Sequence, residues 1–262
     1  MDRLVVLAGA PVGAFALLAA HPTTRAVAAR ALRYHLVVLM MVCALYRRLK
    51  LRFARNVSPP AIDALDARCH TFRYGGMAML LYTPPQPVRG AILLCPGVST
   101  CVRRSLRHAF VAPFHSDRLI LCFQPRGLGD SSPSFDLTTD SLLTDARCAL
   151  GQLAHYRVPH TDVIGFSMGS FVGAQLLARG GMLNDDARCV LAAAMFDAAS
   201  LPWAFRISAC VLGLRNDAVT AGVRNAMCIV HSSEDEITAE REALEHVAHR
   251  RVIGLPTAYL RA

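Results

Sequence analysis

The chain has 262 residues, room for one large domain with an appendage, and its 18% charged beside 53% hydrophobic residues is a low charge fraction for a soluble protein. From Arg3 to Ile62 there are nine basic residues and no acidic one. With Asp2, residues 1–62 therefore carry +8 of the formal +9, and residues 63–262 carry +1. The basicity belongs to the N-terminal segment, which argues against a nucleic-acid-binding core. The nine cysteines include no C-x-x-C pair and no clustered Cys/His set, so they read as small buried residues in a reducing compartment rather than as metal ligands.

The N-terminal segment opens with an uncharged apolar run of 17 residues, Leu4 to Ala20, at the short limit for a membrane span. A second run, Leu36 to Tyr46, is 11 residues and too short to span alone. Arg25, Arg30 and Arg33 lie between them, and Arg47, Arg48, Lys50, Arg52 and Arg55 follow. Three readings stand. A membrane anchor at 4–20 followed by a basic interfacial helix would leave the C-terminal domain in the cytosol. An Arg-rich, acid-free organelle presequence is the second. A secretory signal peptide cleaved near Ala20 is the third, opposed by the weak charge of Asp2-Arg3 and the later cysteines. Ser58-Pro59-Pro60 marks a linker, dividing the chain into a segment 1–60 and a domain 61–262.

Beyond the linker, strand and helix patterns alternate. Arg68 to Tyr74 and Met77 to Tyr82 flank Gly75-Gly76 as a hairpin. Ala91 to Cys95 is a short apolar strand, Val102 to Val111 a helix, and Leu119 to Phe123 a second buried strand. Leu142 to Tyr156 is helical, with Leu142, Ala146, Ala149, Leu150 and Leu153 on one face. Thr161 to Ile164 is a strand and Ser170 to Arg179 a helix stopped by Gly180-Gly181. Next come a strand Cys189 to Phe196, a helical stretch Trp203 to Leu214, and a strand Met227 to Val230. A helix Ala239 to His249 and a last strand Val252 to Leu255 complete the series. Short non-alternating strands separated by helices imply a mostly parallel sheet covered by helices on both faces. Only the interval from Asp197 to Met227 leaves room for a lid, so any lid is small.

Between the strand at 161–164 and its helix stands Gly165-Phe166-Ser167-Met168-Gly169, with the G-x-S-x-G spacing of a nucleophile elbow. A sharp strand-to-helix turn strains the serine backbone. Glycines at both ends admit the close approach of strand and helix, and the helix N-terminus turns free N–H groups toward the serine. The spacing alone also occurs in ordinary Gly-rich turns, so the flanking segments carry the weight.

Four segments in order resemble the α/β-hydrolase family over residues about 66–262. Leu94-Cys95-Pro96-Gly97-Val98 resembles its oxyanion loop. Pro125-Arg126-Gly127-Leu128-Gly129-Asp130-Ser131 resembles its D-x-R-G-x-G-x-S segment, with Gln124 where aspartate often stands. The elbow is the third segment. Ile229 to Ile237 resembles the H-G-x-x-D-x-[IV] segment that bears the acid. The nearest flavour is that of membrane-associated esterases and acylglycerol lipases. The resemblance implies Ser167 as nucleophile, the backbone N–H groups of Val98 and Met168 as oxyanion donors, and Asp235 as the acid. Glu234 and Asp197 are fallback acids, His231 is structural, and Arg126 braces loops. No metal or organic cofactor is implied. The expected partners are an acyl ester or lipid substrate and a membrane surface, and no nucleic acid.

One departure matters. The family's histidine follows the last strand, where this chain reads Gly254-Leu255-Pro256-Thr257-Ala258-Tyr259-Leu260 and offers Tyr259 or Leu260 instead. His246 and His249 precede that strand, and His108 and His115 stand along the helix after the oxyanion loop. Three explanations follow: a longer form that supplies the histidine, a histidine from another element, or a fold that has lost its chemistry. The sequence thus predicts a serine hydrolase of carboxylic, lipid-type esters, with a catalytically impaired, membrane-tethered binding protein as the alternative.

Overall fold

The computed structural model describes residues 65, 67–97, 102–108, 110–132, 138–179, 183–184, 186–194, 223–231, 240–252 and 254–261, all within the unit Val57–Ala262. The expectations for residues 1–60 and for the helical stretch at 203–214 lie outside them, as do residues 197–222 of the interval Asp197 to Met227 where a lid is expected. Among the described residues no helix is long and apolar enough to cross a membrane.

Eight strands form one sheet in the order β1-β2-β4-β3-β5-β6-β7-β8. They are β1 Cys69–Tyr74, β2 Met77–Tyr82, β3 Gly90–Cys95, β4 Arg118–Gln124, β5 Thr161–Phe166, β6 Cys189–Ala192, β7 Met227–His231 and β8 Thr257–Arg261. The β1–β2 hairpin turns at Gly75 and Gly76, with φ of 56° and 81°, the two left-handed positions that a tight two-residue hairpin demands. β2 runs antiparallel to both β1 and β4, and every later pairing is parallel. β3 is buried along its whole length, as an apolar strand covered on both faces should be.

The helices are α1 Val102–Ser105, α2 Thr139–Ala154, α3 Met168–Ala178 and α4 Glu240–Val252. α1 covers one face, where Val102 and Leu106 pack on Leu80, Ile92, Leu94, Ile120 and Ile164. On the other face Ala174 and Leu177 of α3 and Ala243 and Val247 of α4 share a cluster with Leu191, Met227 and Ile229. Each fully buried Leu or Ile contributes about 1.5–3 kcal/mol, so these two layers hold the sheet that aims the site. α3 is apolar all round because it is buried nearly end to end. α2 begins at Thr138, whose hydroxyl accepts from Ser141 N at 3.4 Å.

Two expectations require correction. The helix read as Val102 to Val111 ends at Ser105; turns follow, and a 3-10 turn spans Ala112–Phe114. After Ser105 the chain tightens to i→i−3 bonds, Arg107 N to Arg104 O at 3.1 Å and His108 N to Ser105 O at 3.4 Å, a turn geometry that does not propagate far. The last strand is not Val252 to Leu255 but Thr257–Arg261, because α4 continues through Val252. Gly254 closes that helix at φ 74°, with its N–H bonded to Arg251 O at 3.1 Å and the Leu255 N–H to Arg250 O at 2.9 Å. A left-handed glycine just past the last turn is the common way for a helix to stop. The stretch Gly254 to Leu260, expected to follow the last strand, is therefore largely the last strand itself, with Arg261 opposite His231.

Candidate active site

β5 ends at Phe166 and α3 begins at Met168, leaving Ser167 alone on the turn between them. Its φ of 53° and ψ of −121° are rare for a residue with a side chain, and such strain persists only where surroundings over-determine it. The surroundings do so here. Ser167 N–H donates to Ala192 O at 2.9 Å, and Ser167 O accepts from Ser170 N at 2.8 Å and Ser170 Oγ at 2.6 Å. Ala193, which follows β6, is itself left-handed at φ 47° and donates to Val230 O at 2.9 Å. The ends of β5, β6 and β7 are thus stitched together beside the serine.

The glycines do what their spacing predicts. A Cβ on Gly165 would collide with the Gly169 carbonyl and Ser170 Cα, and one on Gly169 with the Cys95 and Pro96 carbonyls. A Cβ on Gly97 would stand 3.2 Å from Phe166 Cδ1 and 3.3 Å from Ser167 Cβ. The segment leaving β3 therefore lies against the serine. Met168 is the first helical residue, so its N–H has no acceptor within the helix and is available to a ligand atom.

The loop after β4 is held from two sides. Gln124 Oε1 accepts from Asp130 N at 3.0 Å, and Ser131 Oγ donates to Gln124 O at 2.6 Å. Arg126 donates to the buried Asp145 of α2 through its backbone N–H and through Nε, both at 2.8 Å, and its Nη2 lies 2.8 Å from Asp145 Oδ1. Arg126 is thus a loop brace, as the sequence suggests.

Ser167 and Met168 are therefore adjacent at the carboxyl end of the central strands. Val98 and Asp235 lie outside the described residues, as do Glu234 and Asp197. The interval 232–239 that contains Asp235 leaves the carboxyl end of β7, two strands from β5. Among the described residues none hydrogen-bonds the Ser167 hydroxyl. His246 lies midway along α4 and His249 in its last turn, toward the start of β8 and away from the serine's edge. His231 is buried at the end of β7. Tyr259 is occupied: its phenol donates to Glu240 Oε1 at 2.9 Å. Burial, and then that bond, push its pKa up to about 12.

Among the described residues, His108 is the histidine with its ring beside the elbow. Its ring centroid is 4.6 Å from that of Phe166. The early end of α1 at Ser105 brings it there. Burial first, and the nearby Arg104 second, hold its pKa below the ordinary histidine value. No group of three or more His, Cys, Asp or Glu among the described residues is placed to hold a metal ion.

A mostly parallel eight-stranded sheet, helices on both faces and a strained serine on the turn after the fifth strand define an α/β-hydrolase fold. A family model described as alpha/beta hydrolase fold matches residues 90–221, and the chain belongs to that family. Its structure is similar to that of a Pyrococcus furiosus esterase, with a TM-score of 0.61 and 14% identity over 79% of this chain and 86% of that one. It is also similar to ferulic acid-bound Est1E from Butyrivibrio proteoclasticus, with a TM-score of 0.54 and 12% identity over 74% and 88% of the two chains. The Pyrococcus horikoshii acylaminoacyl peptidase gives a TM-score of 0.58 and 11% identity over 74% of this chain. The chain spans only 36% of that peptidase's length. At such identities the likeness carries the fold. No curated protein matches the chain.

Proposed function

We propose that this chain is a serine hydrolase that cleaves carboxylic esters, of lipid type, through an acyl-enzyme on Ser167. The observation that carries the reading is the strained Ser167 backbone at the β5–α3 turn, with Gly97 packed against its Cβ. In that arrangement Ser167 Oγ attacks the ester carbonyl, the carbonyl oxygen becomes an oxyanion, and the N–H groups of Met168 and Val98 stabilise it. Such a donor is typically worth about 3–4 kcal/mol. The Ser167 proton passes to the leaving alcohol oxygen, and water then adds to the acyl carbonyl, giving its OH to the acid and a proton back to Ser167 Oγ. Asp235, in the interval between β7 and α4, is the acid of the site. The basic N-terminal segment holds the domain against anionic membrane, each nearby basic residue adding about 1 kcal/mol.

The second reading is a membrane-tethered binding protein that keeps the fold without turnover. It is favoured by one observation: among the described residues none hydrogen-bonds Ser167 Oγ, and an unassisted serine is a weak nucleophile. The two readings part on turnover of p-nitrophenyl esters of increasing acyl length by the full chain, with and without anionic vesicles. The hydrolase reading predicts release that disappears in Ser167→Ala and rises on vesicles. Equal background rates in both proteins would select the binding protein.

A further inference from the structure

We propose that His108 is a positioning residue of this site, its ring acting through Phe166 to hold the oxyanion-side segment at Gly97 against Ser167. The inference rests on the serine-hydrolase reading above.

The chain of contacts is short. His108 and Phe110 stack with centroids 5.0 Å apart and planes 9° apart. Phe166 meets both, at 4.6 Å from His108 and 5.8 Å from Phe110. These are separations at which aromatic rings attract. Phe166 is the last residue of β5 and the immediate neighbour of Ser167. Its ring edge lies so near Gly97 that a Cβ there would stand 3.2 Å from Phe166 Cδ1. The same Cβ would stand 3.3 Å from Ser167 Cβ, so the aromatic ring and the serine together close the face of Gly97 on which a side chain would stand. The His108 ring backs the Phe166 ring, and the Phe166 ring sets where Gly97 can lie.

His108 is well placed to be a fixed stop. Its N–H bonds to Ser105 O at 3.4 Å, and its carbonyl accepts from Val111 N at 2.8 Å and Ala112 N at 3.2 Å. The backbone is thus pinned on both sides of a ring that carries no sequence-local duty. Its Nε2 is shielded from solvent and has no hydrogen-bond partner, which leaves ring stacking as what holds the imidazole. The lowered pKa keeps the ring neutral at pH 7, so it stacks without a charge to satisfy. Because oxyanion donors act only when held at hydrogen-bonding distance, about 2.7–3.1 Å from the developing charge, a loosened Gly97 segment would weaken the transition state more than substrate binding.

The test is the rate of fluorophosphonate labelling of the full chain, with wild type, His108→Leu and His108→Phe compared at matched foldedness by circular dichroism. Leucine keeps the volume and removes the flat ring; phenylalanine keeps the ring and removes both nitrogens. The expected result is a tenfold to hundredfold slower inactivation rate constant for His108→Leu, about what a 1 Å misplacement costs. Probe affinity is unchanged, and His108→Phe is restored to within a few-fold of wild type. If His108→Leu does not fold, Phe166→Leu, which removes the other ring of the stack, is read in its place with the same expectation. Labelling of His108→Leu at the wild-type rate would overturn this inference alone. So would a His108→Phe variant as slow as His108→Leu, since the imidazole nitrogens and not the ring would then matter. Absence of labelling in folded wild type would overturn the hydrolase reading and this inference with it.

Discussion

Gly169 lies against the backbone carbonyl of Cys95, closely enough that no side chain fits between them. This contact sets α3 and the end of β3 at the separation that places the Gly97 segment beside Ser167. It predicts that Gly169→Ala forces the helix off the strand. The expected cost is at least about 1–3 kcal/mol, as is typical of overpacking, with loss of Ser167 reactivity well before the protein unfolds. Thermal melting and fluorophosphonate labelling of the variant check both parts.

The brace between Arg126 and Asp145 joins the loop after β4 to α2. Asp145 is buried and receives three donors from Arg126, while the Arg126 side chain is 41% exposed, which softens the ion pair through solvent screening. Asp145→Ala is expected to cost about 2–3 kcal/mol, lowering the melting temperature by about 5–10 °C. A fall in melting temperature together with unchanged labelling of the residual folded fraction would identify the pair as structural.

Tyr259 gives a pH signature. Its pKa is raised to about 12 by burial and by its bond to Glu240, above the ordinary value of about 10. Folding therefore favours the protonated phenol. The contribution is whole below about pH 10 and is lost as pH rises through the folded-state value. Denaturant melts of wild type between pH 10 and 12 should show a decline in stability that is reduced in Tyr259→Phe. Identical pH dependence in the two proteins would contradict the assignment.

The cysteines supply a chemical check. Cys95, Cys122 and Cys189 are buried, and burial pushes the Cys95 and Cys189 thiols up. A thiol that cannot ionise does not alkylate. Brief iodoacetamide treatment followed by peptide mass mapping should find these three unmodified in the native protein and modified in denaturant.

Much of this architecture is legible in the sequence because local chemistry and tertiary context agree. Gly75-Gly76 dictates the hairpin, the apolar run Ala91 to Cys95 dictates a buried strand, and the glycines around Ser167 dictate the elbow. The C-terminal end differs from the sequence expectation because two signals compete there. Val252 and Ile253 look like the start of a strand, yet Gly254 is a helix stop, and the stop decides. The last strand then begins past that stop, at Thr257. The left-handed Ala193 left no sequence signal, since alanine rarely takes that conformation. Nor did the ring contact of His108 with Phe166, which joins positions 58 apart through the tertiary fold alone.

The most direct measurement is the mass of the full chain after reaction with a fluorophosphonate, followed by mapping of the modified peptide. The account predicts one adduct, on Ser167, absent from Ser167→Ala and from heat-denatured protein. A folded, unmodified wild-type chain, or an adduct on any other residue, would contradict the claim that the turn between β5 and α3 presents an activated nucleophile.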